Sequence, residues 1–238
     1  MLTAAIEKII DLARPNFENI YGDTYCDKPM HRIDNNVRVK NYITMTTLTS
    51  LIDYIKSNVD RKDCSYLVHI VSPTEVRFYS ALDDDRERET LAIVKAETPQ
   101  FDFNRAIERE SFTIGVQAKF IDTPDRTLIL KFAGTVKAGS VTEYSDDGVS
   151  QKATIKHGVS TLSEAVVPSP CRLTPYRTFI EVEQPASEFI FRLNERGDEV
   201  MCALYEADGG AWKNKAKLNI YNYLTEQLGD QGDILVIA

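Results

Sequence analysis

The chain has 238 residues, 43% apolar and 27% charged, and carries a net charge of −8. That length suits one large domain or two small ones with a real core, and the composition is ordinary for a soluble globular protein. No run of 18 apolar residues occurs, so no membrane-spanning helix is expected, and the acidic balance argues against a protein that coats nucleic acid while leaving room for a local basic patch.

Leu2, Ile6, Ile9, Ile10 and Ala13 form a helical stripe that stops at Pro15. Glu7, Lys8 and Asp11 interrupt its apolar pattern and no small-residue cleavage site follows, so the stretch does not read as a signal peptide. Residues 15–36 are rich in Asn, Asp, Gly and Pro, lack a period, and read as a loop or arm. "VRVKNYITM" (37–45) reads as a strand. Leu48, Leu51, Ile52, Ile55 and Val59 then mark the clearest helix, with Thr46 or Thr47 to cap it.

Strands are expected at 65–72, 75–82 and 90–97, with the acidic "DDDRERE" (83–89) joining the last two. Residues 104–120 fit both a helix face and strict alternation; the length, and Asn104 as a cap, favour a helix. "TLILKFAGTV" (127–136) reads as a strand, and 141–158 as a hairpin turning at Asp147-Gly148. Residues 166–176 are proline-punctuated and irregular. Two or three strands follow up to residue 207, broken at Gln184-Pro185 and turned at Arg196-Gly197. A last helix over about 212–228 and an apolar strand at 233–238 complete the order. Runs of strands punctuated by about four helices predict an α+β fold with largely antiparallel sheets, ending in a strand–turn–helix–strand. We expect an N-terminal helix and arm (1–36) and one α+β domain (37–238), with a sub-boundary near 159–176.

Cys26, Cys64, Cys171 and Cys202 are scattered without a CxxC, and the histidines are His31, His69 and His157. No zinc spacing results, so reduced thiols and no metal or other cofactor are expected. "DDDRERE" offers neighbouring carboxylates, but successive side chains of an extended segment point apart, and Arg86 and Arg88 neutralise it; a solvated loop is expected. "YSDDGVS" lacks the ligand spacing of a calcium loop. His69 in "LVHIV" reads as a structural histidine, and His157 has no Ser or Cys at motif spacing.

The most suggestive stretch is "EADGGAWKNKAKLNIYNYL" (206–224). Gly209 and Gly210 allow positive φ and close docking where a strand becomes a helix. Such a helix start can bind an anion, but Glu206 and Asp208 would repel one and instead suit the helix dipole, with Asp208 as a cap. Trp212, Ala216 and Ile220 share a face, so Trp212 is expected to anchor the helix to the sheet. Lys213, Lys215 and Lys217 are candidate phosphate contacts, or simply a solvated face.

"CALYEADGGAWKNKAKLNIYNYL…ILVIA", preceded by "PYRTFIEVEQPASEFIFRL", resembles the C-terminal signature of an uncharacterised phage and prophage family of the YfdQ type, a domain of unknown function. "EYSDDGVSQKATIKHGV" and "ESFTIGVQAKF" are similar to its middle section and "LIDYIKSN" to its N-terminal part, so most of 48–238 is covered and 15–36 is not. The resemblance implies a viral or prophage origin and a bacterial cytoplasmic setting, and it carries over no catalytic residue. The leading expectation is a non-enzymatic accessory protein whose partner is itself, as a capsid-like shell or a ring; both are analogies of fold. The alternatives are a replication or recombination accessory that binds nucleic acid, and a metal-dependent hydrolase or nuclease using Glu206, Asp208 and Asp146.

Overall fold

The computed structural model describes residues 2–20, 23–29, 39–60, 64–83, 85–142, 151–157, 161–197, 199–229 and 233–238. The chain divides into two compact units, Met1–Arg38 and Val39–Ala238. The first holds α1 (Leu2–Ala13), β1 (Phe17–Ile20) and β2 (Asp23–Cys26). The expected loop is therefore partly a hairpin, paired from Phe17↔Cys26 to Ile20↔Asp23. Polar contacts close its base. The Asn16 backbone N–H and Nδ2 donate to Asp27 Oδ1 and Oδ2, each at 2.9 Å. Lys28 Nζ donates to the carbonyls of Leu12 and Arg14, placing a cation on the acceptor end of α1.

The second unit begins with β3 (Ile43–Met45), α2 (Leu48–Ser57), β4 (Tyr66–Ser72), β5 (Glu75–Ser80) and β6 (Thr90–Lys95). It continues with β7 (Ile107–Glu108), α3 (Arg109–Lys119), α4 (Pro124–Thr135), β8 (Val136–Thr142), β9 (Lys152–His157) and β10 (Thr161–Val166). β11 (Cys171–Leu173), β12 (Ser187–Arg196), β13 (Glu199–Glu206), α5 (Ala211–Leu228) and β14 (Ile234–Ile237) complete it. One sheet has the order β14-β4-β5-β6-β3, with β4, β5 and β6 antiparallel and the two edge strands parallel to their neighbours. β11-β12-β13-β7 and β10-β9-β8 are antiparallel throughout. The architecture is α+β, with five helices among the described residues and the C-terminal strand–helix–strand order.

The core gathers around two of these sheets. α2 contributes Leu48, Leu51, Ile52 and Ile55, and α5 contributes Ile220, Leu224 and Leu228, to a cluster with Val68, Ile70, Val76, Phe78 and Val94 of the five-stranded sheet. Thr47 caps α2, its Oγ1 accepting from the Ser50 N–H at 3.2 Å. The second cluster joins Phe112 and Val116 of α3, Ile129, Phe132 and Ala133 of α4, and Phe189, Phe191 and Leu193 of β12. β12 alternates as a half-buried strand should, Ser187, Phe189, Phe191 and Leu193 facing in and Glu188 and Ile190 out.

Several elements differ from the sequence reading. Residues 127–136 belong mostly to α4, not to a strand. Thr123 Oγ1 accepts from the Arg126 N–H and Pro124 occupies the first turn, so the helix has a start signal. The burial of Ile129, Phe132 and Ala133 at i, i+3 and i+4 then selects the helical period over the β-like run of Leu and Ile. α3 begins after β7, with Glu108 in the cap position. Asn104 is not its cap: it sits at φ 60°, and its Oδ1 accepts from the Glu206 N–H at 3.1 Å. Of the strand expected at 37–45, residues 37–38 lie outside the described residues and 43–45 form β3, and residues 178–183 form no strand. β8 and β9 pair as the two arms of the expected hairpin; its turn at 147–148 lies outside the described residues.

Candidate functional site

β13 ends at Glu206, and the chain turns through Gly209 (φ 61°) and Gly210 (φ 81°) into α5. Left-handed backbone of this kind is what glycine adopts at no steric cost. Conformation alone sets the requirement, since a Cβ on either glycine would meet nothing within 4 Å; the close docking expected of them is absent. Asp208 Oδ1 accepts from the Gly210 N–H at 3.0 Å and Oδ2 from the Trp212 N–H at 3.1 Å. The carboxylate thus satisfies donors that the first turn cannot pair internally, and its charge suits the positive end of the helix.

Trp212 departs from the expectation. Ala216, Ile220 and Leu224 along its stripe are buried, but Trp212 itself is half-buried and stands outside both apolar clusters. Its neighbour is a cation. The guanidinium carbon of Arg177 lies 3.9 Å from the centroid of the indole and 5.6 Å from that of Phe189. Arg177 Nη1 pairs with Glu206 Oε1 at 2.9 Å, while Nη2 donates to Ser187 Oγ and, at 3.4 Å, to the Pro185 carbonyl. The Arg177 side chain is only 8% exposed. Burial pulls its pKa down to about 10, against the opposing pull of the Glu206 and Asp208 carboxylates, and the guanidinium stays charged at neutral pH. Arg177 Nε and Trp212 Nε1 are buried without an acceptor among the described residues.

The backbone carrying Arg177 is irregular and is held by one side chain. Gln184 Oε1 accepts from the N–H groups of Arg177 at 3.0 Å and Thr178 at 3.2 Å. Its Nε2 donates to the carbonyls of Phe179 at 2.8 Å and Val182 at 3.3 Å. Sequence reasoning missed Arg177 and Gln184 as partners of the turn. In "PYRTFIEVEQP" nothing marks them, because their partners lie on other elements. The arrangement is a buried cation neutralised by one carboxylate and walled by an aromatic ring, a cross-link between the irregular segment, β12, β13 and α5.

The other singled-out residues stay dispersed. Lys213 and Lys215 are exposed and Lys217 is half-buried. Lys213 and Lys217 share a helix face, Lys215 projects from another, and Lys213 Nζ lies 5.9 Å from the Trp212 ring centroid. Glu206 and Asp208 are engaged as described, and Asp146 lies outside the described residues. His69 pairs in register with Arg77 and Ile237 on the neighbouring strands. In the acidic loop, Asp83 Oδ1 accepts from the N–H groups of Asp85 at 3.0 Å and Glu87 at 2.8 Å, so that carboxylate orders the turn between β5 and β6.

Among the described residues no group of three His, Cys, Asp or Glu side chains could hold a metal ion. A cleft of about 720 Å³ is lined by Tyr54, Asp60, Cys64, Tyr66, Phe78 and Asp233. There the Tyr54 hydroxyl donates to Asp60 Oδ2 at 2.6 Å, and burial, with that bond, raises the phenol above its ordinary range. A second cleft of about 500 Å³ is lined by residues including Asp102, Arg105, Glu108, Lys119 and Arg196. Neither cleft includes Trp212 or the three lysines of α5.

Compared with protein-family models, with curated proteins and with solved structures, the chain matches none of them.

Proposed function

We propose that this chain is a non-enzymatic phage or prophage accessory protein that works in the bacterial cytoplasm as a homo-oligomer, a capsid-like shell or a ring. The phage and cytoplasmic parts rest on the family resemblance over most of residues 48–238. Self-association rests on one observation: among the described residues of the N-terminal unit none is buried. Leu2, Ile9 and Leu12 of α1 are 79%, 65% and 69% exposed, and Ile6, Ile10, Phe17, Ile20 and Tyr25 are exposed as well. A helix of 12 residues is marginal alone, because most helical stability comes from packing an apolar face. An isolated two-stranded hairpin is marginal too. Yet polar contacts at Asn16, Asp27 and Lys28 hold this unit in one arrangement with its apolar side chains outward. Exposed apolar groups gathered in this way mark an interaction surface.

The polar positions of α1 favour a second copy over a lipid surface. Glu7, Lys8 and Asp11 of α1 sum to −1, and Arg14 just after the helix brings the sum to zero, whereas helices that lie on anionic membranes carry an excess of Lys and Arg. Mass photometry of the full chain at micromolar concentration tests the reading. The parent should run well above the 26.9 kDa of one chain. Ile6→Glu with Ile9→Glu should reduce that mass without unfolding the protein, since both side chains are exposed. A parent at the mass of one chain overturns the proposal, and a variant as large as the parent overturns the role given to the N-terminal unit.

A further inference from the structure

β14 is the outermost strand of the five-stranded sheet and, among the described residues, pairs only with β4 on its inner side. Edge strands are usually protected by lysine, proline, a bulge or a covering element. Ile234, Leu235, Val236 and Ile237 offer no charge and no proline. Ile234 and Val236 pack against the apolar cluster beneath the sheet. Leu235 and Ile237, on the opposite face, remain 62% and 38% exposed. We propose that this edge pairs antiparallel with the same strand of a second copy, about a two-fold axis at Val236.

The occupant follows from register and charge. A two-fold axis normal to the sheet keeps each face on its own side, so residues of like parity must oppose each other. Centring the axis on Val236 sets Leu235 opposite Ile237 of the other copy. The two side chains that the fold leaves open then cover each other as cross-strand pairs, one on each side of the axis. A chain of net charge −8 repels its own copies at long range, so a self-contact belongs where no charge lies, and β14 is such a place. Both copies also gain partners for edge N–H and C=O groups, and the two five-stranded sheets become one.

The inference rests on the self-association proposed above. A ladder of four residues is small beside the roughly 1,200–2,000 Å² buried by a stable interface, so the edge contact forms when the N-terminal unit has already brought copies together. One contact through the N-terminal unit and another through β14 give each copy two neighbours, which a ring or shell requires and a simple dimer does not.

Cross-linking tests the register directly. In the full chain with Cys26→Ser and Cys64→Ser, which removes the thiols that are not fully buried, Leu235→Cys and Ile237→Cys are made separately and also coexpressed. Directly opposed Cβ atoms lie about 4.5–5.5 Å apart and diagonal ones about 7–8 Å, so mild oxidation should link the coexpressed pair about tenfold faster than either variant alone. No disulfide in the coexpressed pair, while mass photometry still shows the oligomer, overturns the edge contact. Equal rates in the single variants overturn the register. A disulfide from the pair, in a protein whose mass Ile6→Glu with Ile9→Glu leaves unchanged, supports the edge and overturns only the role of the N-terminal unit.

Discussion

The guanidinium carbon of Arg177 lies 3.9 Å from the centroid of the Trp212 ring. The only tryptophan of the chain therefore closes over a cation and is not a wedge in the apolar core. One face of the ring shields the Arg177 guanidinium from water, which strengthens its attraction to Glu206 but also withholds hydration from the charge.

Trp212→Ala should lower stability in a urea titration by about 1–3 kcal/mol, below the 3–5 kcal/mol of a fully buried aromatic, because the opened site rehydrates Arg177. Trp212→Phe keeps a ring over the guanidinium and removes an indole N–H that is buried without an acceptor among the described residues; it should stay within about 1 kcal/mol of the parent. Equal losses for the two variants would show that the ring face is not what matters.

Glu206→Ala leaves the Arg177 charge buried and unpaired. It should cost about 2–4 kcal/mol, at or just under the range for breaking a buried pair because the Glu206 side chain is 31% exposed. Arg177→Met combined with Glu206→Gln removes both charges and should be less damaging than Glu206→Ala alone. The cycle of single and double variants reads the coupling, and additive effects would contradict the pairing.

Gln184→Ala strips the partner from three buried backbone groups, the N–H groups of Arg177 and Thr178 and the Val182 carbonyl, while the Phe179 carbonyl keeps the Val182 N–H at 3.4 Å. A loss of at least about 3 kcal/mol is expected, since each unsatisfied buried group costs about 1–3 kcal/mol. Thermal melts of Gln184→Ala beside Glu183→Ala, an exposed neighbour, give the comparison. Similar midpoints for the two would refute the clamp.

Burial pushes the thiols of Cys171 and Cys202 up to about 12 from an ordinary 9.0, with the Asp125 charge adding to the effect at Cys171 and Arg109 opposing it at Cys202. Each stays protonated when folded but ionises when unfolded between those values, so the folded state binds more protons there. Stability should therefore be flat in this respect below pH 9.0 and fall as pH rises toward about 12. Cys171→Ala with Cys202→Ala should flatten that fall, even though the cavities lower stability throughout. In a thiol-labelling assay on the native protein, exposed Cys26 should react first and half-buried Cys64 next, with Cys171 and Cys202 reacting only on unfolding.

The helices α1, α2 and α5, the antiparallel β4–β5–β6 run and the strands β12 and β13 were legible in the sequence. Except for α1, whose apolar stripe is exposed, each buries one face, and the spacing of its apolar residues records which one. Asp208 as the device that starts α5 was legible too, because capping is local. α4 reads as a strand: Thr127, Leu128, Ile129 and Leu130 satisfy either period, the start signal at Thr123 and Pro124 is short, and the packing of Ile129, Phe132 and Ala133 into the cluster around β12 selects the helix. The parallel pairing of β14 with β4 and the placing of Arg177 against Trp212 and Glu206 were also out of reach. Periodicity describes a segment's own surface and says nothing of the segment it will meet. A buried cation needs a carboxylate and an aromatic wall, but which ones is decided only when distant stretches of chain pack together and water is excluded between them.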